Sequence, residues 1–319
     1  DVMPLRKLNR HLAKNTIKNF KTSDIFIFDY LSKILKIKKK IEVDELAYLI
    51  APIFNAAGRL ENANQIIELL STEKKEKIIN ILEHIYKLNI KRKLIEKNVL
   101  DKLNLNELSN QDGVIFVFEP NISEGIIGII ASKIKDYFSK PCIVLTNSGK
   151  NIKGSARSTS NFNIGAYIKK AVDKKILLKG GGHNLAAGIS LVKSNIKPFQ
   201  NYLNVLYKNK TSNIINYFIS KISLNAVNQK LVNELNKISP FGNQNGNPIF
   251  LIEKVKIAKP TLMQNKFISC YIKSSNRSVK AVSFQPLNSK ISDNIFNSKR
   301  NTDVLVKIKE NKWNNKNLI

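Results

Sequence analysis

Apolar residues recur at helical spacing through the first third of the chain. "SDIFIFDYLSKILKI" opens on Ser23–Asp24, a start signal, and "VDELAYLIAPIFNAAGRL" continues the pattern, so residues 1 to 72 are predicted mostly helical. From Ser71 to Leu108 there is neither Gly nor Pro, and Ile78, Leu82, Ile85, Leu88, Ile95 and Val99 mark a loose apolar stripe between charges. A helix of about 35 residues is expected there, about 50 Å long, which is too long for one small domain and reads as a connector between lobes. After "SNQDG" the texture changes. The β-rich runs "GVIFVFE", "KPCIVLTN" and "HNLAAGISLV" alternate with helical "SEGIIGIIASKIKDYF" and "NIGAYIKKAVD", and "GKNIKGSARS" reads as a hairpin partner, giving an α/β domain over roughly 112 to 210. "VNQKLVNELNKIS" is a last clear helix. Beyond "PFGNQNGNP" come short alternating strands without helices, the size of a small OB-like β-barrel. No internal repeat is present.

Composition narrows the partners. The formal net charge is +29, which puts a polyanion first, nucleic acid ahead of a membrane surface. Of the 53 basic residues 46 are Lys in an Asn- and Ile-rich chain, so coding bias is an equally open explanation and the seven Arg carry more information. The hydrophobic share of 43% is enough for buried cores and excludes a disordered chain. Cys142 and Cys270 lie far apart in apolar settings, which argues against a disulfide framework or zinc site and fits a reducing, cytoplasmic compartment. No apolar run approaches the roughly 18 residues of a membrane span. The first residue is not Met and both ends look cut, so a fragment is expected.

Several short segments could carry chemistry. "KGGGHNLAAG" holds four of the 13 glycines, with Gly180, Gly181 and Gly182 running into His183. Glycines can take positive φ and let backbone N–H groups nest an anion, with His183 as a donor; a tight loop with a core histidine is the alternative. Arg157 between Ser155 and Ser158 suits phosphate, since a guanidinium binds it in two-pronged fashion, although a surface arginine in a hairpin is as good a reading. Asn55 and Arg59 stand beside small residues at the end of a helical run, where a close-packed helix terminus is the alternative. "SEGIIGII" could aim a helix N-terminus at an anion but fits ordinary core better. There is no Walker motif, no G-x-G-x-x-G and no Ser-His-Asp order.

Taken in order, these segments resemble the RecJ family of single-strand-specific 5′→3′ DNA exonucleases, within the DHH phosphoesterase superfamily. "DVMPL" is similar to the turn closing the family's catalytic domain, "APIFNAAGRL" to its P-R-x-N-A-A-G-R segment, and "KLNIKR" to the L-N-x-x-R of its connector helix. "SEGIIGIIASKIKDYFSKPCIVLT" resembles H-x-G-V-I-G-I-V-A-S-R-…-Y-x-R-P, while "KGSARSTSNFNIG" and "GGGHNLAAG" resemble the two signatures of the DHH-associated domain. "SPFGNQNGNPIF" resembles the P-F-G-x-G-N-x-x-P that leads into the OB-fold.

The fold implied is α/β plus all-β. A helical remnant of the DHH domain (1–72), a connector helix (73–108), a DHH-associated substrate-binding domain (109–212), a linker with a helix (213–239) and a truncated OB-fold (240–319) would follow one another. The activity implied is two-metal hydrolysis of single-stranded DNA in repair and recombination, with Mn²⁺ or Mg²⁺ as cofactor. Most metal ligands would be missing, Asp1 matching the last metal-binding aspartate, and the chain alone would be inactive. His183 would hold the scissile phosphate, Arg157, Ser155 and Ser158 would grip neighbouring phosphates, and Arg59 with Asn55 would line the way in for the 5′ end. Tyr271, Phe284 and Trp313 are loose stacking candidates on the OB-like module. Single-strand-binding protein and a helicase are the partners the resemblance suggests, with no membrane role and a monomer expected. The sequence departs from the family at Ser123, Ile53 and Gln244, which stand where the pattern has His, Arg and Gly. A catalytically silent single-strand-binding module and a relative acting on short oligoribonucleotides or cyclic dinucleotides are the alternatives; the long connector and OB-like tail argue against the last.

Overall fold

The computed structural model describes residues 3–37, 41–208, 217–264, 267–285, 287, 289–298, 300–313 and 316–318. The chain forms two compact units: residues 1–20, which hold α1 (Lys7–Asn19), together with 215–319, and the intervening 21–214.

The larger unit begins with helices α2 (Phe26–Ile34), α3 (Val43–Glu45), which continues through a π-helical stretch Leu46–Ile50 into α4 (Ala51–Leu60), and α5 (Asn64–Ser71). Pro52 follows directly on the π-helical stretch, where the helix loses one N–H donor and the wider turn makes room for the proline ring. α6 (Lys75–Lys102) is the long helix, but at 28 residues, about 42 Å, it is shorter than expected. The helix stops at Leu103, and Asn104 caps α7 (Leu105–Ser109) by accepting from the N–H groups of Asn106 and Glu107. Ile78, Leu82, Ile85 and Leu88 of α6 are buried on the side of α2, α4 and α5, and Val99 joins the core beneath α8 (Glu124–Phe138). The connector is therefore a shared wall of one unit.

Behind it lies a five-stranded sheet in the order β1-β2-β3-β5-β4, made of β1 (Ile115–Phe118), β2 (Cys142–Ser148), β3 (Asn151–Arg157), β4 (Lys179–His183) and β5 (Ala186–Leu191). Only β1 and β2 are parallel; the rest is antiparallel. α9 (Ile164–Asp173) and α10 (Ile196–Lys208) cover one face, where Ile152, Ala156, Ala187, Ile189 and Leu191 point. α8 covers the other, over Ile115, Val117, Cys142 and Val144. That second helical layer lies on β2 and β3 and leaves β5 and β4 open. Burial pushes the Cys142 thiol well above its usual range, so it behaves as a small core residue.

In the other unit, α11 (Gln229–Ile238) follows the short β6 (Ser220–Lys221) and buries Val232 and Leu235 in the same core as Phe250, Ile252, Val255 and Ile272. It is thus part of the OB-like core, where a linker helix was expected. β7 (Phe250–Met263) is the spine of this sheet. Its first half pairs with β10 (Thr302–Val306) and β6, its second with β8 (Phe267–Lys273), which carries β9 (Ser278–Ser283). Lys254 and Lys259 have φ of 53° and 50°, and both flank breaks in register, so β7 curls there. β9 and β10 do not pair among the described residues, which leaves a curled half-barrel of the OB kind. α12 (Lys290–Asn297) packs on β7, and β11 (Asn311–Trp313) pairs with β12 (Lys316–Leu318).

Residues 1–20, expected with the helical region, belong to this unit. The Leu5 N–H donates to the Asn243 carbonyl at 2.8 Å, and Arg10 donates to the carbonyls of Lys237, Ile238 and Ser239 at the end of α11. Cations at a helix C-terminus meet its exposed carbonyls and the negative end of its dipole.

Candidate functional site

The open face of β5 and β4, bordered by β3 at the edge of α8, is built by register. Alternation along a strand sends every second residue to one side, and pairing lines those residues up across the sheet. One row is Arg157–Ala186–His183 and the next is Ser155–Gly188–Gly181. Lysine, serine, glycine and histidine side the floor with solvent, while their neighbours Ile152, Ala156, Ala187 and Ile189 are buried below.

The triple glycine is a strand, which overturns the nest expected for it. Neither Gly180, Gly181 nor Gly182 has positive φ. Each is bare for a different reason. A Cβ on Gly180 would come 2.6 Å from Ile168 of α9, and one on Gly182 would come 2.2 Å from the Ala186 carbonyl. Gly181 and Gly188 face no atom within 4 Å, so together they form an empty floor two strands wide, about 10 Å between β3 and β4. His183 stands exposed at one end of β4, so it is no core histidine. The Leu185 N–H donates to its Nδ1 at 3.3 Å, with Asn184 Oδ1 at 3.4 Å. Accepting from Leu185 puts the neutral ring's hydrogen on Nε2, whereas a bond from Nδ1 to Asn184 Oδ1 requires the other tautomer; in the first, Nε2 is a donor for a ligand.

On the far side of the floor Arg157 is half-buried. Its Nη1 donates to Ser155 Oγ at 2.9 Å and to the Ala156 carbonyl at 2.8 Å. Its Nη2 lies against Gly128 of α8, where a Cβ would come within 2.8 Å, and no acceptor among the described residues meets it. Burial and then the charge of Arg59 push the Arg157 guanidinium down from its ordinary value. Arg59, at the end of α4, donates to the Gly125 carbonyl at 2.8 Å, while Ser123 Oγ donates to the Arg59 carbonyl at 3.0 Å. Here too glycine is needed: a Cβ on Gly125 would come 2.2 Å from the Arg59 carbonyl oxygen. Burial, followed by the charge of Arg92, lowers Arg59 as well, with Glu96 opposing.

Behind them sits a buried polar cluster on α6. Arg92 donates to Asn89 Oδ1 at 3.1 Å and to Glu96 Oε2 at 3.0 Å, and Lys133 of α8 also pairs with Glu96. Arg92 and Lys133 thus share a single buried carboxylate, Arg59 lies within the field of Arg92 and Glu96, and Arg157 within that of Arg59. This excess of positive charge in a half-buried setting suits an anion.

Sequence-predicted residues thus fall into groups. Arg157, Ser155, His183 and Gly181 share the open face, and Arg59 joins them through α8. Gly180 and Gly182 shape the strand. Ser158 is placed elsewhere: its hydroxyl is buried and donates to the Phe162 carbonyl at 2.6 Å, while its N–H holds the Leu185 carbonyl. It steadies the turn that carries His183 and has no hydroxyl to offer a ligand. Asn55 is exposed, one turn before Arg59, in a shallow depression with Phe54, Gly58, Ala63, Ile66 and Ile67. Asp1 lies outside the described residues, among which no three His, Cys, Asp or Glu side chains come together to hold a metal ion. On the OB-like sheet Tyr271 and Phe284 are exposed, and the side chain of Trp313 lies outside the described residues. Gly125 and Gly128, three apart on α8, lie in a segment that reads from sequence as ordinary core, yet they meet Arg59 and Arg157; the spacing of two glycines on one helix face is the signal for it.

Known proteins decide the family. A model of the DHHA1 domain matches residues 110–209 and a model of the RecJ OB domain matches 220–319. The single-stranded-DNA-specific exonuclease RecJ of Bacillus subtilis is 28% identical over 265 residues, 79% of this chain and 33% of that protein. The chain is a RecJ-like protein. The Thermus thermophilus RecJ is 26% identical over 253 residues, and this RecJ-like chain spans about a third of the length of the relatives it matches. The crystal structure of T. thermophilus RecJ with Mn²⁺ matches 100% of the chain and 46% of its own, at a TM-score of 0.79 and 22% identity, a likeness of fold. An exonuclease RecJ bound to manganese covers 65% of the chain at 26% identity and a TM-score of 0.55. Among the described residues no helix is long and apolar enough to cross a membrane.

Proposed function

We propose that the chain is the substrate-gripping part of a single-strand-specific 5′→3′ DNA exonuclease of repair and recombination, working in the cytoplasm as a monomer. The observation that carries this reading is the row Arg157–Ala186–His183 beside an empty glycine floor. A phosphodiester laid on that floor meets a guanidinium on one side and an imidazole donor on the other, with only the Ala186 methyl between them in the row and bare glycine beside it. Arg59 extends the positive wall toward the 5′ end, with Asn55 one turn further along α4. The curled sheet of the other unit is a separate contact for single strands, through Tyr271, Phe284 and lysines.

Catalysis by Mn²⁺ or Mg²⁺ needs ligands beyond those the described residues bring together, with Asp1 proposed as one of them. The residues seen here bind and orient the phosphate and stabilise charge on it as it reacts. Single-strand-binding protein and a helicase are proposed partners of the whole enzyme.

The test is hydrolysis of a 5′-labelled single strand with Mn²⁺, by a protein of the relatives' full length carrying this chain. Release of mononucleotides from the 5′ end is expected, and His183→Ala should cut the rate by about 10²-fold or more with binding less affected. An unchanged rate would leave His183 a structural residue. Tight single-strand binding without any hydrolysis would favour a silent binding module.

A further inference from the structure

The open face extends one row beyond the residues assigned so far. Two positions along each strand from Ser155–Gly188–Gly181, the register brings Lys153, Ser190 and Lys179 abreast. Lys153 and Lys179 are exposed, and no carboxylate among the described residues pairs with Lys179. Lys153 is engaged: its Nζ lies 2.7 Å from Oε2 of Glu124, the first residue of α8. The bond to Lys153, then one to Ser148, holds the Glu124 carboxyl below the usual range, so it is ionised near neutral pH.

This row lies four residues along β3 from Arg157, about 13 Å away. That distance equals about four nucleotide steps at the roughly 3.4 Å rise of a stacked strand, and fewer for an extended one. The two rows are separated by Gly188 and Gly181, which leave the path between them clear.

Resting on the function proposed above, we infer that Lys153, Ser190 and Lys179 form a second phosphate site for the same single strand, and that Glu124 sets its strength. Lys179 is the net contact. A phosphate reaching Lys153 must displace a carboxylate already in place, so Glu124 acts as a built-in competitor. It keeps the far end of the strand weakly held, which suits a ligand that has to advance.

The experiment follows binding of fluorescent 5′-phosphorylated oligothymidylates to the whole chain by anisotropy, with a chelator present, across a range of KCl. One probe is the dinucleotide and the other has about eight nucleotides. Lys179→Gln should lower the octamer's log–log salt slope by about 0.7 and leave the dinucleotide unchanged. Glu124→Gln should tighten the octamer and raise its slope by about 0.7, and adding Lys153→Gln should cancel that gain. Lys179→Glu, a charge reversal at an exposed position, should exceed Lys179→Gln, and melting curves confirm that each variant is folded. If Arg157→Gln weakens both probes while the Lys179 and Glu124 variants match the parent in slope and affinity, the second site is refuted and the first stands. If Arg157→Gln and His183→Ala leave both probes unaffected, the reading of the whole face falls.

Discussion

Two sheets in this chain each leave a face uncovered, and they furnish it in opposite ways. On β3, β5 and β4 the floor is glycine, and charge stands at its rims in Arg157, His183, Lys153 and Lys179. On β8 and β9 the outward row is Phe267, Tyr271 and Lys273 against Lys280 and Val282, with Ser269 of the same row buried. Phe284, 74% exposed, meets Phe267 edge to face at 5.1 Å, and Tyr271 is 38% exposed. The first face has fixed charges and room for backbone; the second offers rings with a few lysines. On one single strand, the first would supply a directed grip on phosphate and the second stacking that tolerates any base.

The comparison breaks most visibly inside the glycine strand. Gly182→Val would press a side chain on the Ala186 carbonyl and on Ala187 Cα, 2.5 Å away, both in the neighbouring strand. A loss of about 3 kcal/mol is expected in denaturant unfolding. Gly181→Val meets nothing within 4 Å, so stability should change by less than about 1 kcal/mol. Yet it fills the floor, and single-strand affinity should fall at least tenfold, about 1.4 kcal/mol. Equal losses of stability from both would erase the distinction between a packed glycine and an open one.

A smaller effect separates the two faces. Tyr271→Ala or Phe284→Ala should weaken single-strand binding by about 1 kcal/mol or somewhat more with an unchanged salt slope, while Arg157→Gln should flatten the slope. A flattened slope in the aromatic variants would show that both faces read charge. The smallest effect is a control that touches neither. Gln244 sits at φ 58° in the turn closed by Gly242 and Asn245, a conformation glycine adopts more readily. Gln244→Gly should raise unfolding stability by about 0.5 kcal/mol, since relief of strain exceeds the added freedom of the unfolded chain. A lowered midpoint would mean that the glutamine side chain contributes more than its backbone costs.

Much of the fold was legible because side chains announce it. In β5, Ala187, Ile189 and Leu191 alternate with Ala186, Gly188 and Ser190, and this period of two marks both the strand and its two faces. β4 was not legible, because three glycines carry no pattern and disfavour strands; its pairing with β5 and the close approach of α9 impose the conformation. The break after α6 has no Gly or Pro, yet Asn104 with Glu107 three residues on is a helix start that could have been recognised. Within the site, Arg157, Ser155 and His183 stood out as residue types. The meeting of Arg59 with Gly125 joins residues 66 positions apart, and the cluster of Arg92 with Glu96 depends on which side of α6 is inside, so neither could be read from local sequence.

The OB-like unit is assembled from two stretches of chain with the whole of the other unit inserted between them. Arg10 and the carbonyl of Lys237 are separated by 227 positions. In a chain still unfolded throughout, closing so long a loop costs entropy that grows as the logarithm of its length. Folding of residues 21–214 on their own shortens that loop in effect to the span between their two ends. During synthesis α1 emerges before residues 21–214 and finds its partner only after them. A ribosome-bound chain stalled before residue 237 would therefore carry a finished unit of residues 21–214 and an unclaimed α1.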